Sequence, residues 1–439
     1  MKFSNLPLSL TDMSAPVIGI ASRTQTPKGL RLHIGLFGRR NAGKSSLINA
    51  LTNQKIAIVS DVPGTTTDPV EKACELAPIG PVVFIDTAGV DDVGELGGLR
   101  TERSLAVLGW VDVALIVCDA KALTESELEL IRTVKSTATP TVVVLNKADT
   151  ADAKELIATQ EQVRSLGYEP VTVCASQKLN IDAVREAIVK LAQNAVEPDL
   201  PLLGDLVHPG DTVMLVTPID TGAPKGRMIL PQVQAIREVL DADAKCIVVR
   251  ENRLAETLTN EKEPPAFVVT DSQVVQSVVA QTPKTIPVTT FSIQMAYSKC
   301  DLVEMARGAA MIDFLHPGDK VMICETCSHH PQPDDIGRKK LPRWLAKKVG
   351  GELDIEVVVG KDFPVDLTPY KLILQCGGCV VPRRHMLTRL AQAKRQNIPM
   401  TNYGVAISHL QGVLERALEL HPKALKAFHE AREIFANHF

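Results

Sequence analysis

The chain has 439 residues, 45% of them hydrophobic, with a formal net charge of -3 and a sequence pI of about 6.4. The apolar content excludes a disordered chain, and the length suits roughly three domains at about 150 residues each. This charge balance creates no field that would draw nucleic acid or an anionic membrane, so neither is expected as a partner. No stretch approaches about 18 apolar residues, and Lys2 with the short apolar patch at 15–21 lacks the layout of a signal peptide, so a cytoplasmic protein is expected. Nine cysteines, an odd number in a long chain, argue against a disulfide framework and for thiols or metal ligands in a reducing compartment.

Residues 1–30 read as a weakly structured leader containing Pro16 and Pro27. From Arg31 apolar strands alternate with amphipathic helices, the pattern of a mostly parallel sheet covered on both faces. The run Ile34-Gly35-Leu36-Phe37 feeds a loop from Gly38 to Ser45, and a helix is predicted from Ser46. Gly38 and Gly43 let that loop curl so that backbone N–H groups point inward, and the helix N-terminus adds its positive end. Gly38, Asn41, Ala42, Gly43, Lys44, Ser45 and Ser46 thus form a phosphate cradle, with Lys44 reaching the outer phosphates and the Ser45 hydroxyl holding Mg²⁺.

Further chemistry falls at strand ends. The polar loop Pro63-Gly64-Thr65-Thr66-Thr67-Asp68 can fold over a nucleotide and offer a threonine, Thr65 or Thr66, to the metal. The strand Val82-Val83-Phe84-Ile85 delivers Asp86 to the Mg²⁺ shell and Gly89 to the terminal phosphate, so this segment is a switch. Lys44, Asp86 and Gly89 are the expected catalytic residues. The strand Thr141-Val142-Val143-Val144-Leu145 ends in Asn146-Lys147-Ala148-Asp149, where the Asp149 carboxylate can accept two hydrogen bonds from guanine that adenine does not offer. Cys174 and Ala175 follow another short strand, and a backbone N–H there can meet the guanine oxygen; Cys174 replaces the more usual serine. The expected nucleotide is GTP.

These loops resemble the small GTPases related to those of tRNA modification and ribosome biogenesis. Val90 follows Gly89, so the glutamine that orients water in signalling GTPases is missing. In the group it resembles, an asparagine at the position of Asn41 helps hold K⁺, which implies potassium-activated hydrolysis. Asp91, Asp92 and Glu95 are candidates to position water.

After a linker rich in Pro, Leu and Asp, the chain repeats itself. His208-Pro209-Gly210-Asp211 precedes strands at 213–216, 246–249 and 267–270 and a helix near 232–240. His316-Pro317-Gly318-Asp319 precedes strands at 321–324, 355–359 and 372–374 and a helix near 343–349. The expected architecture is α/β throughout: a P-loop GTPase domain (1–198) followed by two related smaller α/β domains (199–290 and 291–439). The first copy carries no titratable cluster after its strands, so self-association is its expected role.

The second copy carries cysteines at the ends of its strands: Cys324 and Cys327 after the first, Cys376 and Cys379 after the last. Carboxyl ends of parallel strands share an edge, so the two groups should converge. Two readings compete, a closed zinc site of these four thiolates and an iron–sulfur cluster held by Cys327, Cys376 and Cys379 with a fourth position free, and spacing alone favours zinc. The basic residues Arg338, Lys339, Lys340, Arg343, Lys347 and Lys348 read as a solvated helix face, and Asn402-Tyr403-Gly404 as a turn before the last helices. His385 and His409 read as ordinary surface or core histidines.

With Arg31 to Gly35, the Gly64 to Pro69 loop, Cys327-Ser328-His329 and Cys376 to Cys379, the chain resembles the GTPase maturases of FeFe-hydrogenase, the HydF family, over nearly its whole length. The resemblance implies a GTPase, a dimerisation domain and a 4Fe-4S domain, with Cys327, His329, Cys376 and Cys379 as candidate ligands. It also implies assembly or carriage of the two-iron subcluster, homodimers, and as partners the apo-hydrogenase and the other hydrogenase maturases. Gln375 stands where the family usually has histidine, and Cys324 is an additional thiol. The competing class is an RNA- or ribosome-associated GTPase with a structural zinc domain, against which the absence of a basic, aromatic-interleaved C-terminal domain argues.

Overall fold

A computed structural model describes residues 29, 31–52, 70–76, 79–87, 106–137, 139–195, 200–219, 228–326, 335–360 and 362–437. Three sheets organise them. The first is six-stranded, in the order β2-β3-β1-β4-β5-β6, where β1 is Leu32–Phe37, β2 Val70–Leu76, β3 Gly80–Asp86, β4 Val113–Asp119, β5 Thr141–Asn146 and β6 Val171–Thr172. Every pairing is parallel except β2 with β3 at one edge. The central strands read as unbroken apolar runs because helices cover both faces, and every residue of β4 is buried. Capping boxes start the flanking helices: Thr124 with Glu127 opens Glu125–Ser136, and Asp152 with Glu155 opens Ala153–Ser165.

The repeat seen in the sequence is a repeat of topology. β7 (Thr212–Val216), β8 (Lys245–Val249), β9 (Phe267–Thr270) and β10 (Val288–Thr290) form a sheet ordered β10-β9-β7-β8. β11 (Lys320–Glu325), β12 (Asp354–Val359), β13 (Leu372–Gln375) and β14 (Met400–Asn402) are ordered β12-β11-β13-β14, which is the same arrangement, and both sheets are wholly parallel. Each copy opens on the same turn. Gly210 has φ +87 and Gly318 φ +89, and the carboxylates of Asp211 and Asp319 accept the N–H of His208 at 2.8 Å and of His316 at 2.7 Å.

The two copies pack through equivalent helices, Phe291–Lys299 after β10 and Tyr403–Leu410 after β14. Gly404 permits the approach, since a Cβ there would stand 2.7 Å from the Ser292 Cβ. Here the structure corrects the sequence reading. Asn402-Tyr403-Gly404 is no turn: Asn402 ends β14 and caps the next helix, its side chain accepting the Val405 N–H at 2.9 Å. Nor is the basic stretch merely solvated, because Arg338 pairs with Glu325 at 3.0 Å, Lys348 with Asp313 at 2.8 Å, and Lys340 donates to Gln273 at 2.6 Å. The helix Arg383–Arg395 reaches the GTPase domain, Thr388 donating to the Gly109 carbonyl at 2.7 Å and Arg384 to Thr139 Oγ1 at 2.9 Å.

Candidate functional site

The chain leaves β1 at Phe37 and turns immediately. Gly38 has φ +145, and a Cβ there would lie 2.2 Å from the Val117 carbonyl oxygen. Asn41 is left-handed at φ +61, and Gly43 follows at φ +95, where a Cβ would meet Asn146 Nδ2 at 2.2 Å. The backbone thus wraps a hollow before Lys44 starts the helix Lys44–Thr52. Lys44 Nζ crosses that hollow and donates to the carbonyls of Gly38 at 2.9 Å and Arg39 at 3.0 Å.

β3 ends beside this loop, so the Asp86 carboxylate meets the Ser45 hydroxyl at 2.9 Å. Burial pushes the Asp86 carboxyl up, opposed by the Ser45 hydrogen bond and by Lys44 and Lys72. Its other oxygen, Oδ1, is buried without a hydrogen-bond partner among the described residues. A buried carboxylate oxygen left open next to a hydroxyl is a fit for a hard divalent cation.

Asn146, expected among the nucleotide residues, spans the site: its Nδ2 donates to the Ala42 carbonyl at 2.9 Å and its Oδ1 accepts the Ala175 N–H at 3.0 Å. Lys147, left-handed at φ +60, extends to Asp119 at 3.2 Å. Asp119 also pairs with Arg39 at 3.1 Å. Burial opposes its charge, yet the Lys121 N–H and Lys147 hold its carboxyl below the usual range. Sequence reasoning missed Asp119, whose signal was its place at the end of the fully apolar β4. Asp149 turns both oxygens to the base side, accepting from the Cys174 thiol at 3.0 Å and from Gln177 Nε2 at 3.3 Å. Cys174, Ala175 and Ala42 are themselves buried behind the wall. The resulting cleft, about 650 Å³, runs from Lys44, Ser45 and Asp86 to Asp149 and Ser176. Thr65, Thr66, Gly89, Asp91, Asp92 and Glu95 lie outside the described residues.

The second group of candidates gathers at the carboxyl edge of the third sheet. β11 and β13 are neighbours, with Cys324 opposite Gln375. Cys376 Sγ receives the Thr326 N–H at 3.2 Å, lies 3.1 Å from Thr326 Oγ1, and receives Gln375 Nε2 at 3.5 Å. Donors gathered on one sulfur suit a thiolate. Gly378, at φ +66, makes the turn to Cys379, and a Cβ there would strike Met386 Sδ at 2.6 Å. Burial pushes the Cys379 thiol up to about 11, and the nearby Cys376 adds to this. Cys324 points into the apolar core beside Met322 and Ile373, and burial raises its thiol to about 12. Cys327 and His329 lie outside the described residues; among those described, no three His, Cys, Asp or Glu side chains gather as a metal site. The turn and the donors on the half-buried Cys376 nevertheless fit a thiolate-held group. No helix among the described residues is long and apolar enough to cross a membrane.

The family model described as the 50S ribosome-binding GTPase matches residues 33–147. The tRNA modification GTPase MnmE of Trichormus variabilis is 38% identical over 167 residues, 37% of this chain and 34% of that protein. GTPase Der of Wolinella succinogenes is 34% identical over 172 residues, 37% of this chain and 36% of that protein. The chain therefore spans about a third of the length of these curated relatives. Among solved structures, Aquifex aeolicus Era is 20% identical, the match covering 52% of this chain and 97% of that one, with a TM-score of 0.33. Two further family models match the rest of the chain: the hydrogen maturase F dimerization domain at 202–300 and the hydrogen maturase F tetramerization domain at 303–420. With a P-loop GTPase domain followed by both self-association domains, the chain belongs to the hydrogen maturase F (HydF) GTPase family.

Proposed function

We propose that this chain hydrolyses GTP at the cleft between Lys44 and Asp149 and carries a 4Fe-4S cluster on its third domain, where it assembles or delivers the two-iron subcluster for apo FeFe-hydrogenase. One observation carries the reading: a P-loop cleft and the donor-ringed thiol of Cys376 occur in one chain whose second and third domains are those of the HydF family.

In the cleft, Lys44 exchanges its contacts with the Gly38 and Arg39 carbonyls for phosphate oxygens, gaining a full charge partner. Ser45 and Asp86 would hold Mg²⁺, and the ion would supply neutralisation of phosphate charge. Asp149 exchanges the Cys174 thiol and the Gln177 amide for the two donors of guanine, which sets the nucleotide preference. Asn41, left-handed at φ +61, faces the phosphate side, and its resemblance to the potassium-dependent group supports K⁺ as the missing positive charge. Thr65, Thr66 and Gly89 complete the phosphate side, and Cys327, His329, Cys376 and Cys379 are the proposed cluster-side ligands. Homodimers and larger assemblies follow from the two self-association domains; the hydrogenase and the other maturases are the proposed partners.

The test is transfer. Protein isolated from cells that make the two-iron unit should, when mixed with purified apo FeFe-hydrogenase, bring on hydrogen evolution, and its GTP turnover should be several-fold faster in KCl than in NaCl at equal ionic strength. Absence of hydrogen evolution with the cluster intact overturns delivery, and equal rates in the two salts overturn potassium activation.

A further inference from the structure

The thiol edge of the third sheet holds a buried cation. Arg389, on the helix Arg383–Arg395, is 3% exposed. Its Nη1 donates to Gln375 Oε1 at 3.0 Å, and its Nη2 donates to the carbonyls of Gly360 at 2.9 Å and Asp362 at 3.2 Å. Its plane lies 4.9 Å over the Phe363 ring, while Nε is buried with no hydrogen-bond partner among the described residues. Among the described residues every acceptor of its hydrogen bonds is neutral, and Cys324, Cys376 and the Asp362 carboxylate lie near enough to attract its charge. A guanidinium keeps its charge, and a charge buried among neutral groups is costly unless an anion stands close.

Gln375 is fully buried between this cation and the Cys376 sulfur. A guanidinium has only donors, so the carboxamide must turn its oxygen to Arg389, which leaves its NH2 group for the Cys376 sulfur at 3.5 Å and for the Cys324 and Cys376 carbonyls at 3.4 Å. Polarisation by Arg389 strengthens that donor. A glutamine held in this way turns its NH2 to the sulfur, and an amide nitrogen offers iron no lone pair.

We propose that Arg389, acting through Gln375, is the buried counter-charge of the thiolate-held cluster, and that Gln375 is a positioning residue and not an iron ligand. This rests on the reading that Cys376 ligates the cluster. One-electron reduction by dithionite adds a negative charge to the cluster and breaks no bond. A buried cation and an N–H aimed at the sulfur favour that reduced form.

The experiment is a mediated dithionite titration of the full-length chain, anaerobically loaded with iron and sulfide, following the paramagnetic signal of the reduced cluster. At the potential where the wild type is half reduced, Arg389→Gln and Gln375→Glu should each lower the ratio of reduced to oxidised cluster at least tenfold, a shift of about 59 mV for a one-electron couple. Arg389→Lys should restore most of that ratio, and Gln375→Ala should retain its iron. Gln375→Glu keeps a satisfied buried pair with Arg389, so it reports even where Arg389→Gln does not fold. An unchanged ratio in Gln375→Glu, or loss of iron in Gln375→Ala, overturns the inference. Absence of iron in the loaded wild type removes the underlying reading instead, and is seen before any variant is titrated.

Discussion

β7 and β11 hold the same place in their sheets, begin after the same His-Pro-Gly-Asp turn, and pair with the same neighbours on either side. What differs is the carboxyl edge. In the first copy Val216 lies opposite Thr270, and the next residue, Asp271, caps a short helical turn by accepting the Gln273 N–H at 2.9 Å. In the second copy Cys324 lies opposite Gln375, and the next residue, Cys376, takes donors from Thr326 and Gln375. One fold therefore serves two ends: scaffold residues repeat, and chemistry is confined to the few positions where strands stop. Both copies match self-association models, the thiol-bearing one included.

The largest expected effect breaks this comparison at its matched positions. Cys376→Ser should lose the iron–sulfur absorbance altogether, whereas Asp271→Ala, the equivalent site, should keep it while losing a helix cap of about 1 kcal/mol. Iron analysis of the two purified variants decides it, and iron retained by Cys376→Ser would contradict the assignment of that edge. Next in size, Lys44→Ala should lower GTP turnover by about 10²–10³-fold or more while leaving the cluster absorbance unchanged, because the two sites stand on separate sheets. Loss of both together would mean that the domains do not act independently.

Glycine substitutions sharpen the comparison. Gly378→Ala must accept a left-handed backbone and a clash with Met386, at about 3 kcal/mol. Gly210→Ala and Gly318→Ala face open space at nearly equal φ and should each cost about 1–2 kcal/mol, equally in the two copies. Hydrogen exchange at β7 and β11 measures both, and unequal losses would show that the turns are not equivalent.

A smaller effect concerns acid. Burial pushes the Asp313 carboxyl up, but hydrogen bonds from His409 and Lys348 outweigh it and hold this carboxyl far below the usual range. A depressed carboxyl contributes its stability above the unfolded pKa of about 3.9 and loses it as pH falls toward the folded value. Asp313→Asn should therefore weaken the third domain by about 2 kcal/mol at pH 7, and the difference from wild type should shrink below about pH 4. Denaturant unfolding across pH checks it, and a difference independent of pH would exclude the ionised pair as its source.

Much of this was legible from residue order. The loops after β1, β3 and β5 announced themselves because each sits where an apolar strand meets Gly, Asp or Asn, and the repeat because a four-residue turn recurs. β10 and β14 were not legible: at three residues each, and with polar threonines or an asparagine, neither shows alternation. Asn402 was misread because asparagine suits both a turn and a helix cap. Asp119, Gln177 and Arg389 were missed for a different reason. Their roles arise from partners distant in sequence, such as Lys147, Asp149 and Gln375, and no local pattern encodes those contacts.

The central claim is that the second copy carries iron where the first carries none. Elemental analysis of the anaerobically purified full-length chain, with electron paramagnetic resonance after dithionite reduction, tests it most directly. The account predicts iron and sulfide in the proportion of a 4Fe-4S cluster and a signal from the reduced cluster. Zinc at one ion per chain, with no iron and no such signal, would contradict it.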